Sequence, residues 1–188
     1  MRSRWIMIGL LGLCFIVLGV AVAWLWGQPE DNVQSFIAKY NELIPFVEAA
    51  RRRVNLMFEA YDAQGQQLTN TSVIAFTHKA EAIIPDLETV SNLIPLLRAE
   101  MSNSLRTKSA KDYGERVVEG LERWATHTRS AIDQFLLALG SYREYLATGS
   151  LDTKADGDTH MQSVRSELSA SRAAEEDVAT LLSKLQSL

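Results

Sequence analysis

One cysteine, three histidines and four prolines in 188 residues leave few chemistries open to this chain. Cys14 stands alone, so no disulfide can form within the sequence, and neither a Cys-x-x-Cys-His haem attachment nor a cysteine cluster is present. Three positions before His78, His127 and His160 lie Ala75, Trp124 and Gly157. A di-iron bundle needs Glu-x-x-His on each of two helices, so that both ligands point inward, and that pair is missing. Haem held by His127 and a methionine is not expected, because a histidine on a helix flank is ordinarily solvated or hydrogen-bonded. Glycine-rich phosphate loops and nucleophile elbows are absent as well. Alternating runs of Val, Ile, Thr and aromatic residues bounded by turns, the mark of strands, do not occur. The expectation is an all-α, non-enzymatic protein without cofactor or metal. With 23 acidic against 19 basic residues, a net charge of −4, nucleic acid is not an expected partner.

What is present begins at the N-terminus. Arg2 and Arg4 precede an unbroken apolar run from Trp5 to Trp26. At ~1.5 Å per helical residue such a run reaches about 33 Å, enough for a hydrocarbon core of ~30 Å. A cleaved signal peptide shares the positive start, and Ala21-Val22-Ala23 offers a small-x-small site. The run is longer than the ~7–15 residues of a signal core, however, and Trp5, Trp24 and Trp26 suit the two membrane interfaces of a retained anchor. A lipoprotein signal is set aside because Leu13, not a small residue, precedes Cys14. Arg2 and Arg4 on one side, and Glu30 and Asp31 with no cation before Lys39 on the other, put the N-terminus in the cytoplasm. The rest of the chain is then extracytoplasmic, or periplasmic in a Gram-negative cell. At 100° per residue Gly9, Gly12, Gly19 and Ala23 fall within an arc of about 80°, a stripe of small residues that suits close helix packing in the bilayer.

Residues 1–28 are therefore read as a single-pass anchor, and residues 29–188 as one domain. Helical periodicity runs through that domain. Val73, Phe76, Ala80, Ile83, Leu87, Val90, Ile94, Leu97 and Met101 follow a 3,4 spacing of the coiled-coil type without a phase error. Because the phase survives Pro85 and Pro95, one bent helix is expected, with a break at Ile94-Pro95 as the alternative. Similar seams predict helices over about 29–64, 69–106, 110–148 and 159–188, with Ser171 and Glu175 interrupting the last. Short joints then imply an antiparallel four-helix bundle of about 45–57 Å. The segment Asp152 to Asp158 has an Asp-Gly step but carries Lys154 and Ser163 where a calcium loop needs acids, so it is read as a flexible turn.

Topology sorts the charges. Arg106, Lys108 and Lys111 belong to the turn nearest the anchor, where each can contribute ~1 kcal/mol of attraction to anionic headgroups. Asp152, Asp156 and Asp158 belong to the far end. Arg51, Arg52 and Arg53 form the densest charge cluster, either a solvated face or a docking site for an acidic partner surface.

Tyr40-Asn41-Glu42-Leu43-Ile44 and Ile84-Pro85-Asp86-Leu87 resemble pieces of the LemA family, which also joins an N-terminal anchor to a helical bundle. The spacing between the pieces departs from that family and its basic segment is missing, so the chain is not assigned to it. In outline the arrangement is similar to the four-helix sensor domains of bacterial chemoreceptors, without their second crossing or cytoplasmic output. The function expected is that of an accessory, scaffold or assembly subunit of a membrane complex. Its partners would be the lipid bilayer and membrane proteins, met through the anchor and the bundle surface. The alternative is a ligand-binding or sensory bundle that signals through a partner.

Overall fold

The computed structural model describes residues 31–64 and 67–188. Five helices account for nearly all of them: α1 (Val33–Gln64), α2 (Asn70–Glu81), α3 (Ile84–Ser104), α4 (Lys108–Thr148) and α5 (Leu151–Gln186). No strand occurs among the described residues, and none of their helices is long and apolar enough to cross a membrane. The run from Trp5 to Trp26, with the Gly9, Gly12, Gly19 and Ala23 stripe, lies outside the described residues.

Cross-links between neighbouring helices give the directions. Ser35 on α1 donates to Glu100 on α3 at 2.6 Å, and Arg53 meets Asp86 at 2.9 Å. Arg98 on α3 meets Glu122 on α4 at 2.9 Å, while Arg129 reaches back to Glu88 at 3.7 Å. Arg123 on α4 lies 3.4 Å from Asp177 on α5, and Tyr142 bonds Asp158 at 2.7 Å. In each pair one number rises as the other falls, so α1, α2–α3, α4 and α5 run alternately up and down. The most extensive packing joins α4 to α5, whereas the backbones of α1 and α5 scarcely approach one another.

The 3,4 seam is the core. Val73, Phe76, Ala80, Ile83, Leu87, Val90, Ile94 and Leu97 are all buried. They pack on Val117, Leu121, Ile132, Phe135 and Leu139 of α4. Phe58, Tyr61 and Phe76 crowd around Phe135 edge-on, with ring centroids 4.9–6.3 Å away from it. Such edge contacts set the positive rim of one ring against the negative face of the next.

The bent second helix is in fact two, and the break falls at Pro85 rather than at Pro95. Proline has no N–H, and its ring conflicts with the carbonyl four residues back, here Glu81. The chain tightens there, with the Ile83 amide bonding the Ala80 carbonyl at 3.1 Å, and α3 restarts with Pro85 in its first turn. That is where a missing N–H costs least. Pro45 and Pro95 stay inside continuous helices, and both face solvent, so water can serve the carbonyls they orphan.

The segment from Asp152 to Asp158 is helical, not a flexible turn. Only Gly149 and Ser150 separate α4 from α5. Gly149 ends α4 with φ 72°, the left-handed cap that glycine adopts without strain. The Ser150 hydroxyl then accepts the Thr153 amide at 3.5 Å and starts the next helix. Gly157 is buried inside α5 because the Tyr142 ring covers it.

Ser171 does not interrupt the last seam. It is buried, and the line continues through Ala174, Val178, Leu181 and Leu185, with Leu181 in the place expected of Leu182.

Candidate functional site: the cleft between the first and last helices

Along α1 the residues Glu48, Arg51, Arg52, Asn55, Leu56 and Glu59 recur at helical spacing, so they share one face. They stand across from Leu168, Ser171, Arg172 and Glu175 of α5, and together these residues line an open cavity of about 630 Å³. Long charged side chains and a serine fill positions where two packed helices would carry apolar residues, which is why the two backbones stay apart. Trp124 and Thr128 of α4 form the floor. The Thr128 hydroxyl donates to the Trp124 carbonyl at 2.7 Å and lies 2.8 Å from the Ser171 hydroxyl. Two buried hydroxyls thereby satisfy each other, as polar groups out of water must.

A second cavity, about 520 Å³, opens further along the same cleft between Tyr61, Tyr142, Asp158 and Arg165. Tyr142 donates to Asp158 at 2.7 Å, and Lys154 reaches the other carboxylate oxygen at 2.9 Å. The hydrogen bonds from Lys154 and then Tyr142 hold the Asp158 carboxyl below its ordinary range. Burial, followed by the bond to Asp158, pushes the Tyr142 phenol up. Tyr40, nearer the other end of α1, is pushed up to about 12 by burial and then by the nearby carboxylates of Glu175 and Glu48.

The three clustered arginines fan out. At 100° per residue Arg51 and Arg53 point to opposite sides of α1. Arg51 pairs with Glu175 across the cleft. Arg53 turns to the break in the second rod, meeting the Ala82 carbonyl at 3.4 Å and Asp86 at 2.9 Å. Arg52 alone has no carboxylate within 4.0 Å among the described residues. The cluster is thus two internal ties and one free cation rather than a single basic face.

Arg106, Lys108 and Lys111 are all exposed, at the end of the bundle where α1 begins. Asp31 closes that end. Its carboxylate accepts the Thr107 amide at 2.8 Å and the Thr107 hydroxyl at 2.5 Å, as well as the Arg106 amide. Burial opposes its ionisation, but these bonds and the Lys111 charge outweigh it and hold the carboxyl low.

Trp124, Thr128 and Tyr142 fall on the periodic face of the helix expected over 110–148, and Ser171 reads as an interruption of the last seam; nothing in either pattern tells that they meet at a cleft. The usable trace was Ser171 itself, a polar residue at a core position. No cluster of three or more His, Cys, Asp or Glu able to hold a metal occurs among the described residues. Comparison of the chain with protein-family models, with curated proteins and with solved structures finds no match.

Proposed function

We propose that this protein is a non-enzymatic, single-pass membrane subunit whose extracytoplasmic helical bundle serves as an accessory, scaffold or assembly part of a membrane complex. The observation that carries this reading is the joining of an apolar run long enough to span a bilayer, Trp5 to Trp26, to a bundle whose adjoining end is basic. Only four residues separate Trp26 from Asp31. Asp31 in turn ties the Arg106–Thr107 turn, so Arg106, Lys108 and Lys111 would face the headgroups. Long helices supply surface, and the Gly9, Gly12, Gly19 and Ala23 stripe would supply contact within the bilayer. Arg52 is the member of the arginine cluster left for an acidic partner.

An alkaline carbonate wash tests the anchor: the full chain should stay with the membrane pellet, and its release would overturn the membrane reading. Intact mass measurement of the detergent-extracted protein tests the subunit role. A stoichiometric protein partner is expected; a monomer with none would overturn it.

A further inference from the structure

The cleft between α1 and α5 contains polar groups that the fold itself does not use. Trp124 lines the cavity, and its indole N–H donates to no protein atom among the described residues and is open to the solvent of the cleft. An indole N–H is a donor only, so a ligand in the cavity can take this one by displacing water. Beside it, the single hydroxyl hydrogen of Thr128 is committed to the Trp124 carbonyl, so the 2.8 Å contact with Ser171 has Ser171 as donor. The lone pairs of Ser171 remain free to accept. One donor and one acceptor on the floor complement the C=O and N–H of an amide group.

The rim adds charge of both signs. Arg52 and Arg172, with Glu48 and Glu59, line the same cavity. None of the four has an opposite charge within 4.0 Å among the described residues, whereas Arg51 and Glu175 are paired. Two cations and two anions without partners on one rim, three of them on α1 and Arg172 on α5, suit a ligand with a charge of each sign better than an anion or a cation. Val54 and Leu168 supply apolar wall, and about 630 Å³ falls within the ~300–1,000 Å³ of ordinary ligand sites. The cleft is centred some twenty residues along the chain from Asp31, roughly 30 Å at ~1.5 Å per residue, which takes it beyond the reach of bilayer headgroups.

We propose that this cleft binds a short apolar peptide with free amino and carboxyl ends. Its carboxylate lies on Arg52 and Arg172, its ammonium on Glu48 or Glu59, and a peptide group meets Trp124 and Ser171. The site does not rest on the membrane anchor, and it gives Arg52 to a peptide carboxylate in place of an acidic protein surface.

Calorimetric titration of the full chain in detergent tests it with three probes: leucyl-leucine, N-acetyl-leucyl-leucine, which lacks the ammonium, and leucyl-leucinamide, which lacks the carboxylate. Saturable binding of leucyl-leucine is expected, weakened about tenfold or more by either cap, in line with the strength of charge-assisted hydrogen bonds. The double variant Arg52→Ala with Arg172→Ala should lose the same factor for leucyl-leucine and change nothing for leucyl-leucinamide. Both positions are exposed, so the variant should fold, as circular dichroism would check. The proposal is overturned by absence of saturable heat with leucyl-leucine, by equal affinity for the capped forms, or by unchanged affinity in the double variant.

Discussion

A Cβ added at Gly157 would come within 2.7 Å of the Tyr142 ring, and one at Gly120 within 2.5 Å of Val178, whereas one at Gly140 meets nothing within 4 Å. The same substitution therefore has opposite signs along these two helices. Gly157→Ala should cost about 1–3 kcal/mol, because a packed ring must move. Gly140→Ala should gain about 0.5–1 kcal/mol, because it removes backbone freedom from the unfolded chain at an exposed helical site. Urea unfolding followed by circular dichroism measures both. The ionisable groups set a pH window in the same way. Asp31 and Asp158 titrate lower in the folded protein than unfolded, so their contribution is complete above the ordinary carboxylate value of about 4 and is lost as pH falls below it. Tyr40 is raised to about 12, so its contribution holds below the ordinary phenol value of about 10 and is lost as pH climbs from there towards about 12. Urea midpoints measured at acid, neutral and alkaline pH should fall at both extremes, and a midpoint that stays level would contradict these assignments. None of this was open to sequence reasoning, since Gly120, Gly140 and Gly157 are alike until their neighbours are known.

Helices and joints show where local pattern suffices and where it does not. The 3,4 seam from Val73 to Leu97 was legible because burial follows periodicity, and a break between α2 and α3 that keeps the phase leaves that periodicity unchanged. Which proline breaks the rod was not legible: Pro85 and Pro95 have similar neighbours in the chain and both face outward. The α4–α5 joint was misplaced because Asp and Gly read as loop residues, while the Gly149 cap, the Ser150 cap and the ring over Gly157 carry the helices up to one another. Arg53 gives the break an independent test. Removing its guanidinium deprives the Ala82 carbonyl of a hydrogen bond and the partly buried Asp86 carboxylate, whose Oδ2 accepts no hydrogen bond, of its nearby countercharge. Arg53→Ala is expected to cost about 1 kcal/mol, since unpaired buried acceptors cost ~1–3 kcal/mol and this arginine is half exposed. Arg52→Ala should stay within about 0.5 kcal/mol, as surface changes usually do. A double-mutant cycle between Arg53 and Asp86 reads the coupling directly, and equal costs at positions 52 and 53 would remove the tie.

Taken whole, the bundle is closed on three sides and open on the fourth. Packing is deepest between α4 and α5 and thinnest between α1 and α5. Local opening should follow that order: amides around Ile132 to Leu139 should exchange with solvent most slowly, and those of α1 facing the cleft sooner. Native-state hydrogen exchange checks the ranking, and protection spread evenly over all helices would count against it. The four-rod architecture was legible because each rod carries its own seam. The open side was not, because Arg51 and Glu175 are 124 positions apart and only the assembled fold shows that they meet. The two-residue link at Gly149 and Ser150 also bears on how the chain first finds this shape. Closing so short a connection costs little entropy, so α4 and α5 can zip together before any distant contact forms. Mutations at Val117, Leu121 or Val178 should then slow refolding, while mutations at Phe36 or Val47 of α1 should mainly speed unfolding. On this view the last two helices are the template on which the first two rods condense, although synthesis delivers them in the opposite order.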